Sequence, residues 1–172
     1  SLFLSVLLGL QPVLTDIFVP AMPAIHQEFA AASLMIQATM FGAMVAFGLG
    51  QLFWGALSDR LGRRPVLLWG LSLFVVSGLA GALALSIEAL LLSRMVQGAA
   101  LGASVVCARA MVRDLYETGE GAQVLARGLS GLGVIAIISP LLGGVLMDVM
   151  GWRANIVAIA IAGLIGLVMV WR

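Results

Sequence analysis

Among the polar side chains inside stretches that are otherwise apolar enough to cross a membrane, three are the first candidates for chemistry: Asp16, Arg94 and Gln97. A charge near the bilayer centre costs about 3 kcal/mol on insertion scales, so such residues are usually paired or line a polar path. At about 1.5 Å per residue, Asp16 lies roughly 6 Å from the end of its stretch at Pro20, and Arg94 roughly 9 Å from the start of its stretch near Glu88. We expect the two charges to share a cavity at similar depth, where the acid binds and releases a proton. The alternative is a static ion pair that holds two helices together.

A second group of charged residues occupies the turn Gly55-Ala56-Leu57-Ser58-Asp59-Arg60-Leu61-Gly62-Arg63-Arg64-Pro65. Gly62 permits a tight reversal between helices. We expect Asp59 to pair with Arg113, near the end of a later apolar stretch, and to act as a conformational latch. The residues assigned to this latch are Gly55, Asp59, Arg60, Gly62, Arg63, Arg64, Arg113 and Asp114. The alternative is a plain basic turn that only marks one side of the membrane.

A third pattern is Ser139-Pro140-Leu141-Leu142-Gly143-Gly144, inside another apolar stretch. Pro140 removes the backbone hydrogen bond to Ala136, and the glycines permit close contact with a partner helix. Bending at this point would govern which side of the protein opens. The alternative is a kink that serves packing alone.

Composition determines what must position these residues. The chain has 172 residues, of which 62% are hydrophobic and 10% charged, whereas soluble domains carry about 25% charge. Six stretches reach the length of about 20 residues that a bilayer requires. We predict an all-α membrane protein with spans at about 2–19, 34–57, 65–85, 88–112, 124–147 and 153–171.

Other classes of function find little support in the composition. A net charge of +1 gives no argument for nucleic acid as a partner. His26 is the only histidine and Cys107 the only cysteine, and no nucleophile–base pair or metal-ligand set is visible. We therefore predict neither an enzyme nor a metal site.

The arginines predict the orientation of the spans. Arginines flank one set of span ends, in the 59–65 turn, in the 113–127 loop and at Arg172, whereas the opposite side has Arg153 alone. Basic residues mark the cytoplasmic side. We expect the amino terminus and the 59–65 and 113–127 loops to be cytoplasmic in a protein of the cytoplasmic (inner) membrane.

Together these features resemble the amino-terminal half of a major facilitator superfamily transporter. The 55–65 turn is similar to the family's signature loop, and Leu92 to Gly98 resembles its helix-4 motif, whose arginine is implicated in proton coupling. Ser139 to Gly144 resembles the helix-5 antiporter motif, with Ser139 in place of its first glycine. Two segments are similar to the bicyclomycin- and chloramphenicol-resistance branch (Bcr/CflA type): Thr15 to Pro23 and Arg109 to Asp114.

The resemblance implies six helices, as two inverted repeats of three, that form half of a twelve-helix transporter. It implies proton-coupled efflux of small hydrophobic or cationic drugs by alternating access. The implied partners are the lipid bilayer and a carboxyl-terminal half outside this chain, with the proton gradient in place of a cofactor. In that family the residues corresponding to Asp59 and Arg113 stabilise the outward-facing state. An importer or facilitator of a small metabolite remains an alternative, as does a non-transporting membrane sensor or assembly protein.

Overall fold

A computed structural model describes residues 2–171, so Arg172 lies outside the described residues. Seven α-helices and one short 3₁₀ turn make up nearly all of this part of the chain. They are α1 (Leu2–Asp16), the 3₁₀ turn (Val19–Ala21), α2 (Met22–Phe29), α3 (Ser33–Leu61), α4 (Arg63–Ala82), α5 (Ile87–Leu115), α6 (Thr118–Met150) and α7 (Trp152–Trp171).

Six helical stretches are long and apolar enough to cross a membrane, which confirms the predicted all-α architecture of six spans. The first stretch combines α1, the 3₁₀ turn and α2, and each of the helices α3 to α7 forms one further stretch. The predicted end of the first span at Pro20 is only a break, since the chain resumes a helix at Met22. The helices α3, α5 and α6 extend beyond the predicted 34–57, 88–112 and 124–147. Hydropathy detects only the apolar part of a helix, and these helices continue through the polar residues at their ends.

The helix α5 lies at the centre of the bundle, where it packs against α3 and α4. A methyl group added to Gly98 would collide with the carbonyl group of Ala43, and one added to Gly50 would collide with that of Ala99. Glycine at both positions therefore lets the α3 and α5 backbones touch, as small residues do between membrane helices. This contact fixes the position of α5 and therefore of Arg94, which α5 carries.

The other main contacts join α4 to α7 and α1 to α6. Along the α1–α6 contact, Gly131 faces Ser5 and Gly9 faces Ile135. The most hydrophobic segment of α5 is 61% buried, whereas that of α3 is 22% buried and that of α6 only 11%. The helices α3 and α6 thus present broad apolar faces to their surroundings.

Candidate functional site

Arg94 of α5 is the largest fully buried side chain of the described residues, with 1% of its surface exposed. Its Nη1 donates to Oε1 of Gln97 at 2.8 Å, and its Nη2 donates to the carbonyl oxygen of Leu14 at 2.6 Å. The guanidinium carbon lies 4.3 Å from the centre of the Phe18 ring, an arrangement in which the ring face attracts the cation. Arg94 therefore joins α5 to the carboxyl end of α1.

The end of α1 explains why a carbonyl group is available to Arg94. The last four carbonyl groups of a helix have no donor within that helix, and together they carry about half a negative charge. Leu14 is among them, because α1 ends at Asp16. The buried cation is thus balanced by a helix terminus and a neutral amide.

Asp16 lies at the same end of α1 but does not pair with Arg94. Its Oδ1 accepts a hydrogen bond from the hydroxyl group of Thr15 at 2.8 Å, and the ion pairs within 4.0 Å among residues 2–171 do not include it. The alternative of a static Asp16–Arg94 ion pair is therefore wrong for this conformation. Leu14, whose carbonyl group binds Arg94, lies two residues before Asp16, so both residues are at the carboxyl end of α1.

Gln97 completes the buried cluster between α4, α5 and α7. It is fully buried, and its amide nitrogen lies against Gly78, which Ala160 of α7 also approaches. Within the described residues, neither this nitrogen nor Nε of Arg94 has a hydrogen-bond acceptor. Each unmatched donor costs about 1–3 kcal/mol, so the cluster is retained at the expense of stability. Such a compromise is typical of functional positions.

Arg63 is the centre of the latch group at the opposite end of the bundle. Its Nη1 donates to Oδ1 of Asp59 at 2.6 Å and to the hydroxyl group of Ser58 at 2.7 Å, while its Nε donates to Oδ2 of Asp114 at 3.1 Å. Gly62 makes this possible, because its φ of +90° turns the chain from α3 directly into α4. Arg63 thereby joins α3 to the end of α5.

The structure corrects the predicted direct pair between Asp59 and Arg113. Within residues 2–171, Asp59 pairs with Arg63, and Arg113 approaches only Asp114, at 4.0 Å. Asp59 and Arg113 instead share the lining of a cavity of about 420 Å³. The whole lining comprises Gly55, Asp59, Arg63, Val106, Arg109, Ala110 and Arg113.

The two remaining latch arginines lie apart from this network. Nη2 of Arg64 donates to the carbonyl oxygen of Trp171 at 2.7 Å, which joins the start of α4 to the end of α7. Arg60 is exposed on the last turn of α3. The signature-like turn thus combines an α3–α5 connection through Arg63 with an α4–α7 connection through Arg64.

The Ser139–Gly144 segment lies in the middle of α6, which continues as a helix through Pro140. The hydroxyl group of Ser139 donates to the carbonyl oxygen of Ile135 at 2.7 Å. A methyl group on Gly143 would press on the backbone of Ile17, whereas one on Gly144 would meet nothing within 4 Å. Only the first of the two glycines therefore serves the contact with the first span.

Asn155 of α7 is a buried polar residue that the sequence analysis did not identify. Its Nδ2 donates to the carbonyl oxygens of Ile17, at 2.8 Å, and Gly143, at 3.0 Å. It stands alone in an apolar stretch and belongs to no motif considered above. Its polarity within a span was the available signal, because buried polar residues in membranes are rarely neutral in effect.

A further cluster, which was not predicted from the sequence, joins the end of the first span to the start of the last span. Glu28 of α2 pairs with Arg153 at 2.7 Å and accepts a hydrogen bond from the indole nitrogen of Trp152. The Arg153 guanidinium group lies 4.2 Å from the centre of the Trp152 ring, and Phe29 packs edge-on against the same ring. This cluster fastens α2 to the start of α7.

Comparison with known proteins shows the family to which this chain belongs. Residues 4–172 match the model of the Major Facilitator Superfamily. The chain is 32% identical over 155 residues to "Multidrug resistance protein D" of Escherichia coli, covering 89% of this chain and 39% of that protein. It is 36% identical over 159 residues to "Chloramphenicol resistance protein" of Pseudomonas aeruginosa, covering 91% and 38%. The chain thus spans about two fifths of the length of these curated relatives.

The fold is similar to that of a solved transporter. The proton:xylose symporter XylE, a protein of E. coli, superposes with a TM-score of 0.80 at 17% identity. The match covers 99% of this chain and 43% of that one. This likeness shows the fold alone.

Proposed function

Because this chain belongs to the Major Facilitator Superfamily, a family of transporters, we propose that it is the amino-terminal half of a proton-coupled drug exporter. The whole protein moves small hydrophobic or cationic drugs out across the cytoplasmic membrane in exchange for protons, by alternating access. The curated relatives named for multidrug and chloramphenicol resistance support drug export.

The observation that carries this proposal is the environment of Arg94 and Asp16. The guanidinium group is fully buried yet bound to a carbonyl oxygen and an amide, so its charge is not cancelled by a carboxylate. The Asp16 carboxyl group at the same helix end is partly buried, and within residues 2–171 it accepts a hydrogen bond from Thr15. Because this carboxyl group takes part in no ion pair among residues 2–171, we propose it as the group that carries the exchanged proton.

The partner of this half is a second six-helix bundle of the same protein. The apolar faces of α3 and α6 would be covered by this partner and by lipid, since both helices are largely exposed in the isolated half. At the latch end, Arg109 and Arg113 face the cavity beside Asp59 without ion-pairing to it. These cations are placed to meet acidic or carbonyl groups of the second half as the two bundles rock.

The latch end faces the cytoplasm under this proposal. Arg60, Arg63 and Arg64 lie together at the α3–α4 turn, and Arg113 lies at the same end of α5, in keeping with the excess of basic residues on the cytoplasmic side. The cluster around Glu28 and Arg153 then lies on the outer side. Asp16 lies midway along the first apolar stretch, Phe3–Phe29.

The test is drug accumulation by the complete protein in inverted membrane vesicles. Energised vesicles should accumulate labelled chloramphenicol or a lipophilic cation, and a protonophore should abolish the accumulation. The Asp16→Asn variant should lose accumulation while remaining folded, whereas Arg127→Lys, an exposed change in α6, serves as a matched control. Accumulation of a sugar or metabolite by right-side-out vesicles, with no drug accumulation in inverted ones, would favour an importer instead.

A further inference from the structure

The break between α1 and α2 leaves the carbonyl group of Ile17 without a donor from its own segment. A carbonyl group at position 17 would normally accept from the N–H group three or four residues later. The residue three positions later is Pro20, which has no N–H group. The N–H group four positions later, on Ala21, is bound to the carbonyl oxygen of Phe18 at 3.0 Å. Ile17 therefore depends on a donor from another element.

Asn155 of α7 supplies that donor. Its amide nitrogen donates to the Ile17 carbonyl oxygen at 2.8 Å and to the Gly143 carbonyl oxygen at 3.0 Å, and its side chain is fully buried. The opposite orientation of the amide would set Oδ1 against two carbonyl oxygens, and oxygen atoms cannot donate to one another. The two carbonyl groups therefore fix the orientation, and Oδ1 has no partner among the described residues.

Gly143 brings α6 to the same point. A methyl group on Gly143 would collide with the Ile17 carbonyl group, so the two backbones are in direct contact there. Gly143 lies three residues after Pro140, where α6 lacks one backbone hydrogen bond. A shift of α6 at its proline would thus act directly on Ile17. Asp16, which is adjacent to Ile17, would shift with it.

We propose that Asn155 is a positioning residue that ties α6 to the proton-binding end of α1, so that movement of α6 and protonation of Asp16 are coupled. This inference rests on the proposed proton-coupled function. Asn155 acts through backbone groups and touches neither the proton nor the drug. Arg94 and Asn155 bind carbonyl groups on either side of Asp16 in the sequence, since Arg94 binds Leu14 and Asn155 binds Ile17.

The experiment replaces Asn155 by Leu in the complete protein and compares it with Ile159→Leu, a volume-conserving change at another fully buried position of α7. The first readout is the number of protons released per drug molecule transported in proteoliposomes. The second does not depend on transport. Spin labels at the exposed positions Gln27 of α2 and Val149 of α6 report the distance distribution between the two helices in a background without native cysteines.

We expect Asn155→Leu to lower the proton-to-drug ratio at least threefold and to broaden the distance distribution, with wild-type values for Ile159→Leu. Asn155→Ser, which keeps one donor, should give intermediate values. An unchanged ratio together with an unchanged distribution in Asn155→Leu would overturn the inference. Failure of the wild-type protein to release protons with any drug would instead refute the proposed function, and the spin-label comparison would still decide whether Asn155 holds α6 to the first membrane stretch, which contains α1 and α2.

Discussion

Arg94 donates a 2.6 Å hydrogen bond to the carbonyl oxygen of Leu14, so that the end of α1 rather than a carboxylate balances a buried cation. A helix terminus supplies a partial charge of fixed position that does not titrate. Neither the Leu14 carbonyl group nor the Gln97 amide, the two groups that bind the guanidinium group, is titratable. The proposed proton site, Asp16, lies at the same helix end as Leu14.

The two hydrogen bonds of Arg94 predict that another cationic side chain cannot take over its role. Arg94→Lys keeps the charge, but a single ammonium group does not match the fork that binds Gln97 and Leu14 together. We expect both Arg94→Lys and Arg94→Leu to reduce drug transport at least tenfold. Transport assays in energised vesicles, with Arg127→Lys as the control, would check this. Near-normal transport by Arg94→Lys would contradict the importance of the two-donor arrangement.

The backbone contact between α3 and α5 predicts a difference between two glycines of one helix. Gly50→Ala should destabilise the protein by about 1–3 kcal/mol, because overpacking forces the backbones apart. Gly48→Ala, two residues away, places its methyl group where nothing lies within 4 Å and should be neutral or slightly stabilising. The two variants are heated in detergent, and size-exclusion chromatography measures the fraction of each that remains folded at each temperature. Equal unfolding temperatures would refute the proposed contact.

The latch network predicts which charge pairs are energetically coupled. A double-mutant cycle on Asp59 and Arg63 should give a coupling of about 0.5–1 kcal/mol, small because Asp59 is 64% exposed. The same cycle on Asp59 and Arg113 should give no coupling in the conformation described here. Unfolding temperatures at low and high salt provide the measurement, since screening weakens exposed pairs. A larger coupling for Asp59 with Arg113 would restore the direct pair expected from the sequence.

The sequence predicted the six spans and singled out Arg94, Asp16 and Asp59, but it did not predict which atoms these side chains contact. Hydropathy and proline placement are local signals, and they located Arg94 and Asp16 at neighbouring ends. The partner of Arg94 is a backbone carbonyl group, which every residue possesses and no composition reveals. Asp59 pairs with Arg63 and not with Arg113. The φ of +90° at Gly62 reverses the chain between α3 and α4, and this turn brings Arg63 against Asp59, four residues earlier.

Asn155 shows a different limit of sequence reasoning. A single asparagine within an apolar span carries no motif, and its role depends on two backbone positions, Ile17 and Gly143, that are distant in sequence. The missing N–H group of Pro20 was visible in the sequence, and it required a donor from elsewhere. The identity of that donor required the packing of α7 on the first span.

The Glu28 cluster predicts a measurable role in stability. Glu28→Gln should lower the unfolding temperature by a few degrees, because it removes the ion pair with Arg153 and weakens the hydrogen bond from Trp152. The loss should shrink at high salt, since the Glu28 side chain is 41% exposed. Glu117→Gln, an exposed change in the loop before α6, is the control. An equal shift in both variants would argue against a specific role for the cluster.

Proton release on addition of drug tests the proposed proton coupling directly. Inverted vesicles that contain the complete protein are energised to an acidic interior, and the interior pH is followed with a fluorescent dye as chloramphenicol or a lipophilic cation is added. We expect drug-dependent proton efflux for the wild-type protein and its loss in Asp16→Asn and Arg94→Leu, both still folded. Drug transport by Asp16→Asn with unchanged proton release would contradict the assignment of Asp16. Drug transport by the wild-type protein without proton release would contradict proton coupling itself.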